Sequence, residues 1–168
     1  VYGGIPLTGS DFGDWTVLYV DTGNTIKPEY LWSGDLGKLT PTFSTGHEKN
    51  TAMLYSPPTP HLQISKNVTV AIFLRPNPPG SVKDVYVEVG YIHDDTSSLI
   101  GNGTTAISGM GSYRIRLDLG SDFTIPEGSM VYLNVTVTFH HEYSGWGSFF
   151  LYYGWIRPSC VRLGGTIT

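Results

Sequence analysis

The chain has 168 residues, a formal net charge of −4, 14% charged and 13% aromatic residues, 21 glycines and 11 prolines. That length suits one domain with a substantial core. The 10 Lys and Arg stand scattered singly, without the basic stripe of a nucleic-acid binder, and no run approaches the apolar length of a helical membrane span.

Apolar residues are dominated by Val, Ile, Thr and Tyr in alternating runs, an all-β profile rich in turns. Residues 1–8, V-Y-G-G-I-P-L-T, read as an extended arm with Val1, Gly3, Ile5 and Leu7 on one side. Residues 15–20 form the first firm strand, closed by the turn Asp21-Thr22-Gly23-Asn24. Short strands follow at 29–33 and 38–43, then at 51–56, ending on Pro57-Pro58, and at 61–65. Residues 67–74 place Val68, Val70, Ile72 and Leu74 on one face, and 82–92 use Val85, Val87 and Val89. Residues 99–107 read as a hairpin turning at Gly101-Asn102-Gly103. The pattern continues at 113–119 and along 129–140, where Val131, Leu133, Val135, Val137 and Phe139 share a face. It ends with 149–155 and a second extended arm at 161–168. Strands at this spacing, without helical periods, predict an antiparallel β-sandwich of jelly-roll type at 15–168, preceded by the arm at 1–14.

Three N-x-S/T triplets begin at Asn67, Asn102 and Asn134, each where a side chain should meet solvent. They predict a secreted, cell-surface protein carrying N-linked glycans. The start at Val1, without Met, reads as a processed product. Cys160 is the one cysteine, so an intramolecular disulfide framework is excluded and a small buried apolar role is expected.

Signals for chemistry are few. Val20-Asp21-Thr22-Gly23 matches the hydrophobic-Asp-Thr-Gly signature of aspartic proteases, but strand-then-D-T-G-N is also an ordinary turn, which is the preferred reading. His140 and His141 are neighbours and point to opposite strand faces, while His47 and His93 fall in loops; no metal site is assigned. No cofactor is expected. Calcium on the loop carboxylates Asp11, Asp14, Asp94, Asp95, Asp118 and Asp122 is the alternative. Trp146, Phe150, Tyr152 and Trp155 form an aromatic contact surface, suited to a subunit contact or to stacking on sugar rings.

A mature-start β-sandwich with sequons and an extended N-terminal arm resembles the subunits of archaeal extracellular filaments, the threads and bundling pili. The residues that carry the resemblance are 1–8 as donor strand, the sandwich from Trp15 onward, and Asn67, Asn102 and Asn134 as glycan sites. It implies a structural subunit without catalysis that polymerises head-to-tail with copies of itself by donor-strand exchange. The chain departs from type IV pilins and flagellins in lacking an N-terminal hydrophobic helix. The rival readings are a carbohydrate-binding module, a viral capsid or spike jelly roll, and a dimeric aspartic protease built on Asp21.

Overall fold

The structure is a computed structural model that describes residues 15, 17–21, 24–28, 37–39, 49–119, 121–143, 147–153, 159–163 and 165–167. Its strands are β1 (Val17–Asp21), β2 (Thr25–Lys27), β3 (Gly37–Leu39), β4 (Lys49–Tyr55), β5 (Leu62–Ile64), β6 (Asn67–Asn77) and β7 (Val82–His93). They continue as β8 (Thr96–Ala106), β9 (Gly111–Asp118), β10 (Phe123–Ile125), β11 (Met130–Phe139), β12 (Ser148–Tyr153), β13 (Cys160–Arg162) and β14 (Gly165–Ile167). Among the described residues there is no α-helix, and one 3-10 turn covers His141–Tyr143. The all-β expectation holds.

Alternation builds the long strands. β6 buries Val68, Val70, Ile72 and Leu74 completely and turns Asn67, Thr69, Ala71, Phe73 and Arg75 outward. β11 does the same with Val131, Leu133, Val135, Val137 and Phe139, and β7 with Val85, Val87 and Val89. Each such side chain contributes roughly 1.5–3 kcal/mol by leaving water.

One large sheet follows the order β3-β12-β6-β13-β1-β2-β4-β11-β7-β8, with β9 also on β6; β10-β5-β14 make a small second sheet. The ladders are antiparallel except at one narrow link, where Thr25 of β2 lies opposite Tyr55 of β4 and the Tyr55 N–H donates to the Asn24 carbonyl at 3.1 Å. This link divides the large sheet into two halves. One half is β4-β11-β7-β8; the other holds β3, β12, β6, β9, β13, β1 and β2. Both contribute to a single core in which Leu133 and Val87 of the first half join Leu74 and Val161 of the second.

One expectation needs correction. Residues 101–103 are not a hairpin tip, because β8 runs unbroken through Asn102. The chain reverses instead at Asp94-Asp95, whose φ angles of 48° and 62° supply the two left-handed residues of a tight two-residue turn. The glycines serve packing. A Cβ at Gly101 would overlap the Leu119 side chain, and one at Gly103 that of Ile115, so β8 lies directly over β9. Close by, Val89 pairs with Gly101 and Gly90 with Leu99, which leaves Ile100 as the extra residue of a bulge.

The extended C-terminal segment closes this chain's own sheets. β13 is inserted between β6 and β1, and β14 pairs with β5. Backbone groups left bare in a loose arm are satisfied here inside the chain, and Val161 and Leu163 join the core. Periodicity also missed β2 and β10, three-residue strands too short to show a pattern. The donor-strand positions Val1, Gly3, Ile5 and Leu7, the strand at 29–33, and Trp146 and Trp155 lie outside the described residues.

Candidate functional sites

The three sequon asparagines all face outward. Asn67 and Asn102 are exposed; Asn134 is half-buried in the middle of its sheet, between Met53 of β4 and Glu88 of β7. The Asn134 side-chain oxygen accepts from the Thr136 hydroxyl at 2.8 Å, and Thr136 in turn lies 3.0 Å from the Thr51 hydroxyl. The Asn67 oxygen accepts from Arg116 at 3.4 Å.

Asn134 belongs to a polar cluster that sequence reasoning did not single out. On the outer face of β4-β11-β7-β8, the Glu88 carboxylate takes two phenolic hydrogens, one from Tyr86 at 2.8 Å and one from Tyr132 at 2.9 Å. The register explains the meeting. Tyr132 lies opposite Gly90 and Asn134 opposite Glu88. Because Gly90 has no side chain, the Tyr132 ring lies across it, where a Cβ would overlap the ring. That contact aims the Tyr132 hydroxyl along β7 at Glu88. Burial, and then the hydrogen bond to Glu88 and its negative charge, push the Tyr132 phenol from 10.0 up to about 12. The same causes raise Tyr86, while a hydrogen bond from Asn102 works against them. Each carboxylate oxygen thus accepts from one neutral phenol, and the cluster forms a polar platform on this face. Tyr86 and Glu88 sit two apart in a strand, which is the one signal in sequence that places them on the same face.

A second cluster superficially matches a nucleophilic trio. Ser129 Oγ lies 3.2 Å from His93 Nδ1, and His93 Nε2 lies 3.3 Å from an Asp94 carboxylate oxygen. A catalytic serine must present its oxygen to substrate and hand its proton to the imidazole. Ser129 does neither. It is fully buried, and its hydroxyl donates to the Pro126 carbonyl at 2.6 Å. With that hydrogen committed, Oγ accepts from Nδ1, the reverse of base catalysis. Around it, Thr59 N–H donates to the Ser129 carbonyl at 2.8 Å and Gly128 N–H to the Thr59 carbonyl at 2.7 Å. The trio locks the start of β11 to the end of β7.

The remaining sequence candidates are structural. Asp21 is almost wholly buried and pairs with Lys27 at 3.1 Å across the β1–β2 hairpin, a neutralised carboxylate in place of a protease dyad member. Among the described residues, no three His, Cys, Asp or Glu side chains gather as metal ligands, and Asp94 and Asp95 form the β7–β8 turn. Cys160 is buried, which pushes its thiol up; the nearby Arg162 and Arg114 pull the other way. Of the aromatic contact surface, Phe150 is half-buried and Tyr152 nearly buried, both on the outer face. Phe73 meets Tyr152 edge-on at 5.5 Å, and Arg75 lies 5.7 Å from the Phe150 ring centre.

No protein-family model and no curated protein sequence matches the chain. Solved structures do match in fold. The chain resembles an α-amino acid ester hydrolase (TM-score 0.66, 12% identity, 90% of this chain and 36% of that one). It resembles an aminopeptidase from a marine sediment Thaumarchaeota archaeon (0.65, 10%, 88% and 36%). It also resembles a CocE/NonD family hydrolase from Staphylococcus aureus (0.63, 10%, 91% and 37%). The chain therefore spans little more than a third of the length of these enzymes. The likeness establishes a shared fold. It also overturns the reading as a non-enzymatic, self-assembling filament or pilus subunit. The similar structures are hydrolases, and the C-terminal strands are consumed in intramolecular pairing. Alternating strands with outward asparagines suit either kind of protein, because alternation reports a half-buried sheet and nothing of what the sheet serves.

Proposed function

We propose that this chain is the β-domain of a hydrolase of ester or amide bonds, a jelly-roll sandwich beside further parts of the enzyme. The observation that carries the reading is the match of about nine-tenths of the chain to 36–37% of each of three hydrolases named above. The hydrolytic groups are then assigned outside the Ser129–His93–Asp94 lock, whose serine hydrogen is already committed to Pro126. Within this reading the exposed Asn102 and the outward Asn134 carry N-linked glycans on an extracellular enzyme.

The test is to recover the native protein with an antibody raised against this chain. Its mass is measured together with its hydrolysis of aminoacyl p-nitrophenyl esters and aminoacyl p-nitroanilides. A polypeptide longer than these 168 residues that cleaves either substrate class is the expected result. Absence of hydrolysis on both classes, at any mass, overturns the reading.

A further inference from the structure

The outer face of β9-β6-β13-β1 gathers arginines that are far apart in the chain. Arg114 and Arg116 project from β9, Arg162 from β13 and Arg75 from β6, all exposed. The register sets them in two cross-strand rows. One runs Arg114, Ala71, Cys160, Tyr19; the next runs Arg116, Thr69, Arg162, Val17. With neighbouring strands about 4.8 Å apart and alternate residues about 7 Å apart, Arg116 and Arg162 stand about 10 Å from each other across Thr69, with Arg114 one row away. The floor between them consists of Ala71, Thr69 and Cys160, short side chains flanked by three long ones. Both Arg114 and Arg162 act on the Cys160 thiol, which places their charge over this floor. Among the described residues none of the four arginines forms an ion pair.

We infer that this face docks an acidic protein segment, its carboxylates seated between Arg114, Arg116 and Arg162. The composition selects that partner. Protein interfaces favour arginine and aromatic residues over lysine, and the guanidinium fork matches a carboxylate with two parallel hydrogen bonds. Phe150 under Arg75 extends the face with an aromatic edge. A single-stranded nucleic acid needs open ring faces for stacking, whereas Tyr152 is nearly buried and held edge-on to Phe73. A long polyanion would also meet a chain of net charge −4, while a short acidic segment meets only the local arginines. The inference goes beyond the hydrolase reading and stands apart from it, because its test reads binding and not turnover.

The experiment titrates the full chain with a fluorescein-labelled oligoglutamate peptide at low and moderate salt, with heparin fragments and a single-stranded oligonucleotide as rival probes. Saturable peptide binding is expected. It should weaken by about tenfold or more in Arg114→Glu/Arg116→Glu and in Arg162→Glu, as paired charges are lost. It should hold in Lys83→Glu, the same charge change as Arg162→Glu at an exposed position of β7. Lysine at all three arginine positions keeps the charge and the fold but removes the fork, so intermediate affinity is expected. Absence of peptide binding, equal loss with Lys83→Glu, full affinity in the triple lysine variant, or tighter binding of heparin or the oligonucleotide would each overturn the inference.

Discussion

The two outer faces of the curled sheet have opposite characters over a common core. Above β4-β11-β7, Tyr86, Glu88, Tyr132, Asn134 and Thr136 hold one another through hydrogen bonds of 2.8–2.9 Å. Above β9-β6-β13, Arg114, Arg116 and Arg162 have no carboxylate partner among the described residues. The first face has spent its polar groups internally and offers little to a ligand without breaking bonds. The second has exposed guanidiniums that lack a carboxylate partner among the described residues. Self-satisfied groups stabilise a fold, whereas uncommitted charge contributes little to stability and much to recognition.

The largest expected effects test whether the faces share one core. Leu74 lies beneath the arginine face and Leu133 beneath the tyrosine face, and both are fully buried. Leu74→Ala and Leu133→Ala should each cost about 2–5 kcal/mol, the range of cavity-forming substitutions. Urea unfolding followed by fluorescence and circular dichroism should show one transition in each variant. Two separable transitions would mean that the halves fold independently across the narrow Thr25–Tyr55 link.

Gly90→Ala comes next and strikes only the tyrosine face. The new methyl group would meet the Tyr132 ring, and overpacking should cost about 1–3 kcal/mol while releasing the ring from Glu88. An unchanged urea midpoint would show that the ring can move aside freely. Ser129→Ala should cost about 1 kcal/mol through the lost hydrogen bonds at the start of β11. Whatever hydrolysis the native protein performs should persist in that variant. Loss of turnover with the fold intact would make Ser129 a participant and the lock reading wrong.

The pH test is smaller and more specific. The folded chain holds the Tyr132 proton more tightly than the unfolded chain does, since its phenol is raised from 10.0 to about 12. The stability this contributes is complete below pH 10.0 and is lost as the pH rises toward about 12. Tyrosinate absorbance should show a phenol titrating late, and Glu88→Gln should bring it part of the way back by removing the charge while leaving the burial. A Tyr132 that titrates at the ordinary value would dissolve the cluster. Smallest of all, Arg116→Ala should shift stability by no more than about 0.5 kcal/mol, because an exposed residue with one long hydrogen bond to Asn67 holds little of the fold. A larger loss would mean that the arginine face is also self-satisfied, and the contrast between the faces would fall.

Much of the architecture was legible in sequence because alternation is a local property. Val131 through Phe139 and Val68 through Leu74 announced their buried faces, and both strands pair as amphipathic sheet members should. Errors came where one residue type serves two purposes. Gly101 and Gly103 looked like turn glycines but exist to let Leu119 and Ile115 approach, a contact made by residues about a dozen or more positions away. The loop expected at Asp94-Asp95 is present, as the two-residue turn between β7 and β8. The C-terminal segment reads as extended, as it is, but nothing in its own residues names β6, β1 and β5 as its partners.

Local periodicity by itself determined the fold class, the buried faces of the long strands and the outward placement of Asn134, and the single cysteine excluded an internal disulfide. Tertiary structure alone decided which faces acquire chemistry. In sequence the basic residues are scattered singly, and Arg114 and Arg162 lie far apart. Strand order brings β9, β6 and β13 side by side, and only then do the guanidiniums share a floor. The Tyr132–Glu88 bond likewise required the β11–β7 register. A strand's own sequence fixes which way each side chain points, because its two-residue period is set by the backbone. Which side chains meet across strands depends on pairing between distant segments, and no local pattern carries that information.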